Sequence, residues 1–254
     1  MQSSEPALPW LTPGDSFPPT DQAWGHGTSA PGLLAAGAAL DVDTLRRAYS
    51  AGIFPWFGRN EPILWWSTDP RMVLRTGAFQ LHPSLRKTLR KFRLDPHCEI
   101  RFDSAFSQVI QSCSIQARKG QSGTWIVPEM VRAYEALHEA GFAHSVETWV
   151  AGELVGGLYA VSIGRAVFGE SMFASRTDAS KIALAALVGF CRAHAIEMID
   201  CQQNTRHLAS LGAAEMPRRE FVAQLALSQL KSSPEWKFQP NYWDELMPTS
   251  HQPA

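Results

Sequence analysis

No stretch of about 18 consecutive apolar residues occurs in this chain, so a membrane-spanning helix is not expected. The N-terminal sequence MQSSEPALPWLTPGDSFPPT has no basic segment followed by an apolar run, so no secretory signal is expected either. Cysteine is scarce: Cys98, Cys113, Cys191 and Cys201 contain no CxxC pair and read as neither a disulfide framework nor a zinc site. They are expected as reduced thiols in a cytoplasmic protein. His82, His97, His138, His144, His194 and His207 lack metal-ligand spacing, so no metal is expected. No G-x-S-x-G elbow and no Ser–His–Asp arrangement is recognisable. Neither sign of charge dominates. With a net charge of −1, the whole molecule does not attract a polyanion, and nucleic-acid binding would need a local basic patch.

What is present fits an ordinary soluble balance, 45% hydrophobic and 19% charged residues over 254 positions, enough for one large domain or two modest ones. Residues 1–30 are rich in Pro, Gly, Ser and Thr and are expected to be extended or partly ordered. A helix is expected from Asp41, capped by Asp41 or Asp43, with Leu45, Ala48 and Tyr49 on one face and Gly52 as its stop. A dense aromatic segment follows, from Ile53 to Trp66, and a boundary is placed near Pro70. Arg71 to Arg101 is strongly basic. Pro83 or Ser84 opens a helix there whose Arg86, Lys87, Arg90 and Lys91 form a cationic stripe. A solvated helix face accounts for that stripe at least as well as a phosphate track does.

A further helix is expected over 128–140. Beyond it the pattern predicts strands over 145–150, 154–163 and 167–173 joined by tight Gly turns, a buried helix over 180–195, and a strand over 196–202. Helix, three-strand meander, helix, strand is the order of an N-acetyltransferase-like fold.

Two strand interiors hold acids in apolar company, Glu170 and Asp200. A carboxylate is costly to bury unless paired or hydrogen-bonded, so each alone reads as a satisfied structural group; two on neighbouring strands point to a site. Alternation along the strand puts Asp200 and Gln202 on one face and Cys201 on the other. On that basis Asp200 and Gln202 form a short proton relay, and Cys201 is a core residue. Trp65 and Trp66 read as core. Trp56 and Trp125, both on Gly-bounded loops, fit core packing or base stacking equally well.

The motifs as a set resemble those of the leucyl/phenylalanyl-tRNA–protein transferases. They run in order from about Phe17 to about Leu227: Phe17-Pro18-Pro19, Pro31-Gly32-Leu33-Leu34-Ala35, Gly52-Ile53-Phe54-Pro55-Trp56-Phe57, Leu64-Trp65-Trp66-Ser67, Asp69-Pro70-Arg71, Gly123-Thr124-Trp125-Ile126, Ala143-His144-Ser145-Val146-Glu147, Gly156-Gly157-Leu158-Tyr159, Gly169-Glu170-Ser171-Met172-Phe173, Ala179-Ser180-Lys181, Ile199-Asp200-Cys201-Gln202 and Ser210-Leu211-Gly212-Ala213. Ala174 and Ala160 depart from the commoner Ser and Gly of that pattern.

The resemblance implies an α+β fold with a small N-terminal domain (1–69), a GNAT-like catalytic domain (70–231) whose mixed, largely antiparallel sheet is flanked by helices, and a C-terminal extension (232–254). It implies an aminoacyltransferase that moves Leu, Phe or less readily Met from aminoacyl-tRNA to proteins beginning with Arg or Lys, marking them for degradation in an N-degron pathway. It assigns Asp200 and Gln202 to the proton relay and Glu170 to substrate placement, with Glu170 also a candidate site for the acceptor's cationic side chain. Trp56 and Trp125 would hold the terminal adenine, with Tyr49, Tyr134 and Leu158 around the aminoacyl end. The stripe at Arg86, Lys87, Arg90 and Lys91 becomes the better candidate for tRNA backbone contact. No cofactor is implied, and a monomer is expected, no coiled-coil heptad demanding a dimer. The alternatives are a CoA-dependent N-acetyltransferase and a non-catalytic tRNA- or degron-binding module. Ala174-Ser175-Arg176-Thr177-Asp178-Ala179 contains no Gly of the kind that lets backbone amides cradle pyrophosphate, which disfavours CoA.

Overall fold

The computed structural model describes residues 5–116 and 126–247. Strands β1 (Trp10–Leu11) and β2 (Leu33–Gly37) run parallel and lead into helix α1 (Val42–Ser50). Asp41 caps α1, its carboxylate accepting from the Thr44 amide at 2.8 Å. Leu45, Ala48 and Tyr49 are buried on one face. Gly52, at φ +77°, turns the chain out of the helix, a conformation that favours glycine. The aromatic segment then forms β3 (Phe54–Pro55) and β4 (Leu64–Trp66), completing a four-stranded sheet in the order β1-β2-β4-β3. Trp65 and Trp66 are buried there, as core residues.

The basic segment is divided among three elements: β5 (Arg71–Arg75), α2 (Pro83–Leu94) and β6 (Cys98–Phe102). Pro83 starts α2, as the missing amide of a first-turn proline allows. Leu85, Leu89 and Phe92 bury its inner face. Helices α3 (Phe106–Ile115) and α4 (Pro128–Glu139) follow. The predicted meander is present as β7 (Ala143–Val150), β8 (Glu153–Ile163) and β9 (Ala166–Ala174). After it come the buried helix α5 (Ala179–Ala193), β10 (Met198–Gln202), α6 (Arg206–Ser210), β11 (Ala214–Met216) and α7 (Arg218–Gln229).

The larger sheet has the order β11-β5-β10-β9-β8-β7-β6 among the described residues. Its neighbours are antiparallel except β9 and β10, which run parallel. The fold is therefore α+β. Both faces of the sheet are covered, so successive strand residues enter different cores. Tyr159, Val161 and Phe168 join a cluster with the small sheet, α1, α3, α4 and α7. Leu158, Ala160 and Val167 join a second cluster with α2 and α5. The first cluster includes Trp65 from before Pro70 and Val73 from after it, so one core spans both sheets. The second takes in Trp236, Tyr242, Trp243, Leu246 and Met247, so the chain beyond Ser232 packs against α5.

Candidate active site

The site lies where β9 and β10 stop pairing. Their parallel register covers Ile199 with Val167 and Asp200 with Phe168. Each strand then has a bulge. On β9 the register against β8 slips between Gly169 and Ser171, leaving Glu170 as the extra residue. On β10 the register against β5 slips between Asp200 and Gln202, leaving Cys201 as the extra residue. Gln202 sits at φ +61°, a left-handed conformation uncommon for glutamine. Bulges of this kind re-aim side chains beside sites.

The re-aiming corrects the alternation argument. Asp200 and Gln202 do not act from one face with Cys201 behind them. Cys201 and Gln202 both line a cavity of about 450 Å³, whereas Asp200 is buried and absent from its walls. The apolar walls include Phe54, Leu158, Met172, Leu184, Leu187 and Ile199, with Trp56 at one side. Glu170, Gln202 and His207 supply polar groups. A largely apolar cavity of this size with a few convergent polar groups is the usual form of a small-substrate site.

A continuous hydrogen-bonded chain backs the cavity. Arg71 Nε donates to Asp200 Oδ1 at 2.8 Å and Nη2 to Oδ2 at 2.6 Å, a bidentate ion pair with both side chains buried. Asp200 Oδ1 also accepts from the Gln202 amide at 2.9 Å. Thr68 Oγ1 donates to the Gln202 carbonyl at 3.0 Å. Gln202 Nε2 donates to Glu170 Oε1 at 2.8 Å, and Tyr134 Oη donates to Glu170 Oε2 at 3.2 Å. The Tyr49 hydroxyl in turn bonds to that of Tyr134.

Burial pushes the Glu170 carboxyl up to about 7; the negative charge of Asp200 adds to the rise, and hydrogen bonds from Tyr49, Gln202 and Tyr134 oppose it. Burial, together with the Glu170 charge, likewise raises the phenols of Tyr49 and Tyr134 well above their ordinary range. Burial pushes the Cys201 thiol up to about 12, which leaves it unreactive. His207 is lowered by burial and by the charge of Lys181.

Of the residues singled out from the sequence, Glu170, Gln202, Trp56 and Leu158 meet at the cavity. Asp200 is held behind it. Tyr49 and Tyr134 are fully buried and reach the cavity only through Glu170. Trp125 lies outside the described residues. Lys87, Arg90 and Lys91 are exposed on α2 and Arg86 is half-buried. Two further residues border the polar pair: Arg71, through Asp200, and His207, on the cavity wall. In the sequence Arg71 reads as one cation of the basic segment; its burial against Asp200 follows from the pairing of β5 with β10, which no local pattern marks. In the sequence His207 reads as a hydrogen-bonding or packing residue, and no local pattern marks its place on the cavity wall.

The sequence matches two family models, the leucyl/phenylalanyl-tRNA protein transferase N-terminal domain over residues 38–69 and leucyl/phenylalanyl-tRNA protein transferase over residues 73–226. Curated relatives carry the same name. That of Polaromonas sp. (strain JS666 / ATCC BAA-500) is 66% identical over 247 residues, covering 97% of this chain and 96% of the relative. That of Albidiferax ferrireducens is 60% identical, with 97% of each chain covered. That of Leptothrix cholodnii is 59% identical over 244 residues, covering 94% of this chain and 95% of the relative. With this much of the chain matched at this identity, the protein belongs to the leucyl/phenylalanyl-tRNA protein transferase family.

Proposed function

We propose that this chain is an aminoacyltransferase that moves leucine or phenylalanine, and less readily methionine, from charged tRNA to the N-terminal amine of proteins beginning with Arg or Lys. The reading places it in the cytoplasm as a monomer, marking its products for an N-degron pathway. The observation that carries it is the Glu170–Gln202 pair set in an apolar cavity, within a chain of this family.

The aminoacyl ester is already activated, so the reaction needs no ATP, CoA or metal. The acceptor nitrogen attacks the ester carbonyl and a tetrahedral adduct forms. The bond to the terminal ribose oxygen then breaks, the amine gives up one proton, and the ribose oxygen takes one. Gln202 donates through Nε2 to Glu170, which leaves its carbonyl oxygen to orient the amine N–H. Glu170, held near 7, is matched to accept a proton near neutral pH. Its charge also suits the cationic acceptor end. Asp200 serves the relay by fixing the Gln202 backbone, and Tyr49 and Tyr134 by fixing Glu170. The apolar walls select Leu and Phe; a methylene is worth only about 1–3 kcal/mol in such a pocket, so some Met transfer follows. Trp56 and Trp125 stack the terminal adenine, and Arg86, Lys87, Arg90 and Lys91 meet the tRNA backbone. In domain terms, 1–69 is a small N-terminal unit, 70–231 a GNAT-like catalytic unit and 232–254 an extension.

The parting of the parallel β9 and β10 is what supports the GNAT-like reading. The CoA alternative is opposed at the loop before α5, where the Ser175 and Arg176 amides are already bonded to the Val155 carbonyl. Calorimetry with acetyl-CoA should show no binding. The experiment that tests the function is transfer of labelled leucine from Leu-tRNA to a peptide beginning with Arg, with a peptide beginning with Ala as control. Transfer to the Arg peptide alone supports the reading, and its collapse in Gln202→Ala with tRNA binding retained excludes a mere binding module. No transfer of Leu, Phe or Met by folded protein, to Arg or Lys, overturns it.

A further inference from the structure

We propose that Arg71 is a positioning residue of the transfer reaction: by gripping Asp200 it holds the bulged turn that aims the Gln202 amide at Glu170, and it screens Glu170 from the Asp200 charge. The inference rests on the aminoacyl-transfer reading of the cavity.

Packing alone does not account for Arg71. Its side chain is fully buried, sandwiched between the rings of Phe54 at 4.6 Å and Phe221 at 4.7 Å. Nη1 finds no partner among the described residues. Burying an arginine with an unmet N–H is costly, and buried ion pairs are often no more stabilising than apolar residues of the same volume. What the pair does accomplish is geometric. Asp200 Oδ1 is shared between Arg71 Nε and the Gln202 amide, so the guanidinium fixes the acceptor that keeps Gln202 at positive φ. Thr68 clamps the Gln202 carbonyl from the other side. Phe54, against which Arg71 stacks, is itself a cavity wall. One side chain thus ties the β3 wall to the polar pair.

The groups facing Glu170 are Tyr49 of α1, Tyr134 of α4, and Asp200 and Gln202 of β10, with Cys201 of β10 and His207 of α6 on the same cavity. Asp200 is the charge that raises Glu170, and Arg71 is the cation paired with it. With Arg71 removed, the Asp200 charge stands unneutralised beside Glu170, and the pH at which Glu170 ionises rises.

The test is the pH profile of kcat, with KM for Leu-tRNA, in Arg71→Met, Arg71→Lys, Asp200→Asn and the double variant Arg71→Met/Asp200→Asn. Arg71→Met is expected to lower kcat roughly 10- to 100-fold, leave KM for Leu-tRNA within about twofold, and move the acid limb up by about one unit. Arg71→Lys restores the limb but only part of kcat, since one of two hydrogen bonds is lost. Asp200→Asn moves the limb down. The double variant carries neither charge and still offers an acceptor to the Gln202 amide, so its limb returns to the parent position or below. An unmoved limb in folded Arg71→Met overturns the proposal, however far stability falls. Should Arg71→Met not fold, an unmoved limb in Asp200→Asn overturns it instead. Absence of transfer by the parent protein would be a failure of the functional reading, a different result from an active parent whose limb ignores Arg71.

Discussion

Glu170 sets stability against chemistry. Its carboxyl rises from an ordinary 4.5 to about 7 in the folded protein. The folded state therefore binds the proton more tightly than the unfolded chain. Its contribution to stability is fully present below about 4.5 and is lost as pH rises through about 7. At about 1.4 kcal/mol per unit, the loss is at most about 3–4 kcal/mol. Glu170→Gln should therefore be more stable than the parent near pH 8, with the advantage vanishing near pH 4, as read by urea denaturation at both. The same substitution removes the proton acceptor. Cys201, by contrast, lines the cavity with an inert thiol, so Cys201→Ala should keep transfer within about twofold and protein treated with a thiol-alkylating reagent should keep its activity. At this scale the sequence showed the two acids and the glutamine, because acids amid apolar strand residues are conspicuous. It did not show which faced the cavity. Strand alternation has period two, and the bulge at Cys201 that breaks it is defined by the register of β5, a strand more than a hundred positions away.

Among the elements, those with a local signature were readable. Asp41 as cap, Gly52 as stop and Pro83 at a first turn act within one turn of chain, and the meander is marked by its own glycines. Asp41→Ala should cost about 1 kcal/mol, seen as a lower melting temperature, because the Thr44 amide loses its acceptor. The short strands β1, β3 and β11 and the mildly amphipathic α3 and α7 lacked such signals; they are fixed by what they pack against. Gly156 shows this constraint on the meander. A Cβ there would lie 2.5 Å from the Ala179 Cβ and 2.9 Å from the Ala179 backbone, where α5 begins. Gly156→Val should destabilise by about 1–3 kcal/mol and, by pushing α5 from β8, disturb the wall formed by Leu158 and Leu184. A fall in melting temperature with raised KM for Leu-tRNA checks it.

For the whole molecule, the arrangement is one sheet between two cores, with a net charge near zero and cations gathered locally on α2. The basic patch was visible in the sequence, whereas the closing of the second core by Trp236 and Trp243 was not, since a tail carries no periodicity. Trp236→Ala should cost about 3–5 kcal/mol in urea denaturation. Replacing Lys87, Arg90 and Lys91 together by Ala should raise KM for Leu-tRNA at unchanged kcat and flatten its dependence on salt, since fewer counterions are then released. Those effects concern how substrates arrive. The chemistry is tested most directly by the single-turnover rate of leucine transfer against pH, in the parent and in Glu170→Gln. The account predicts a parent rate that climbs to a plateau through about 7 and a variant that is flat and at least about 100-fold slower. A folded variant transferring at the parent rate across the whole range would contradict it.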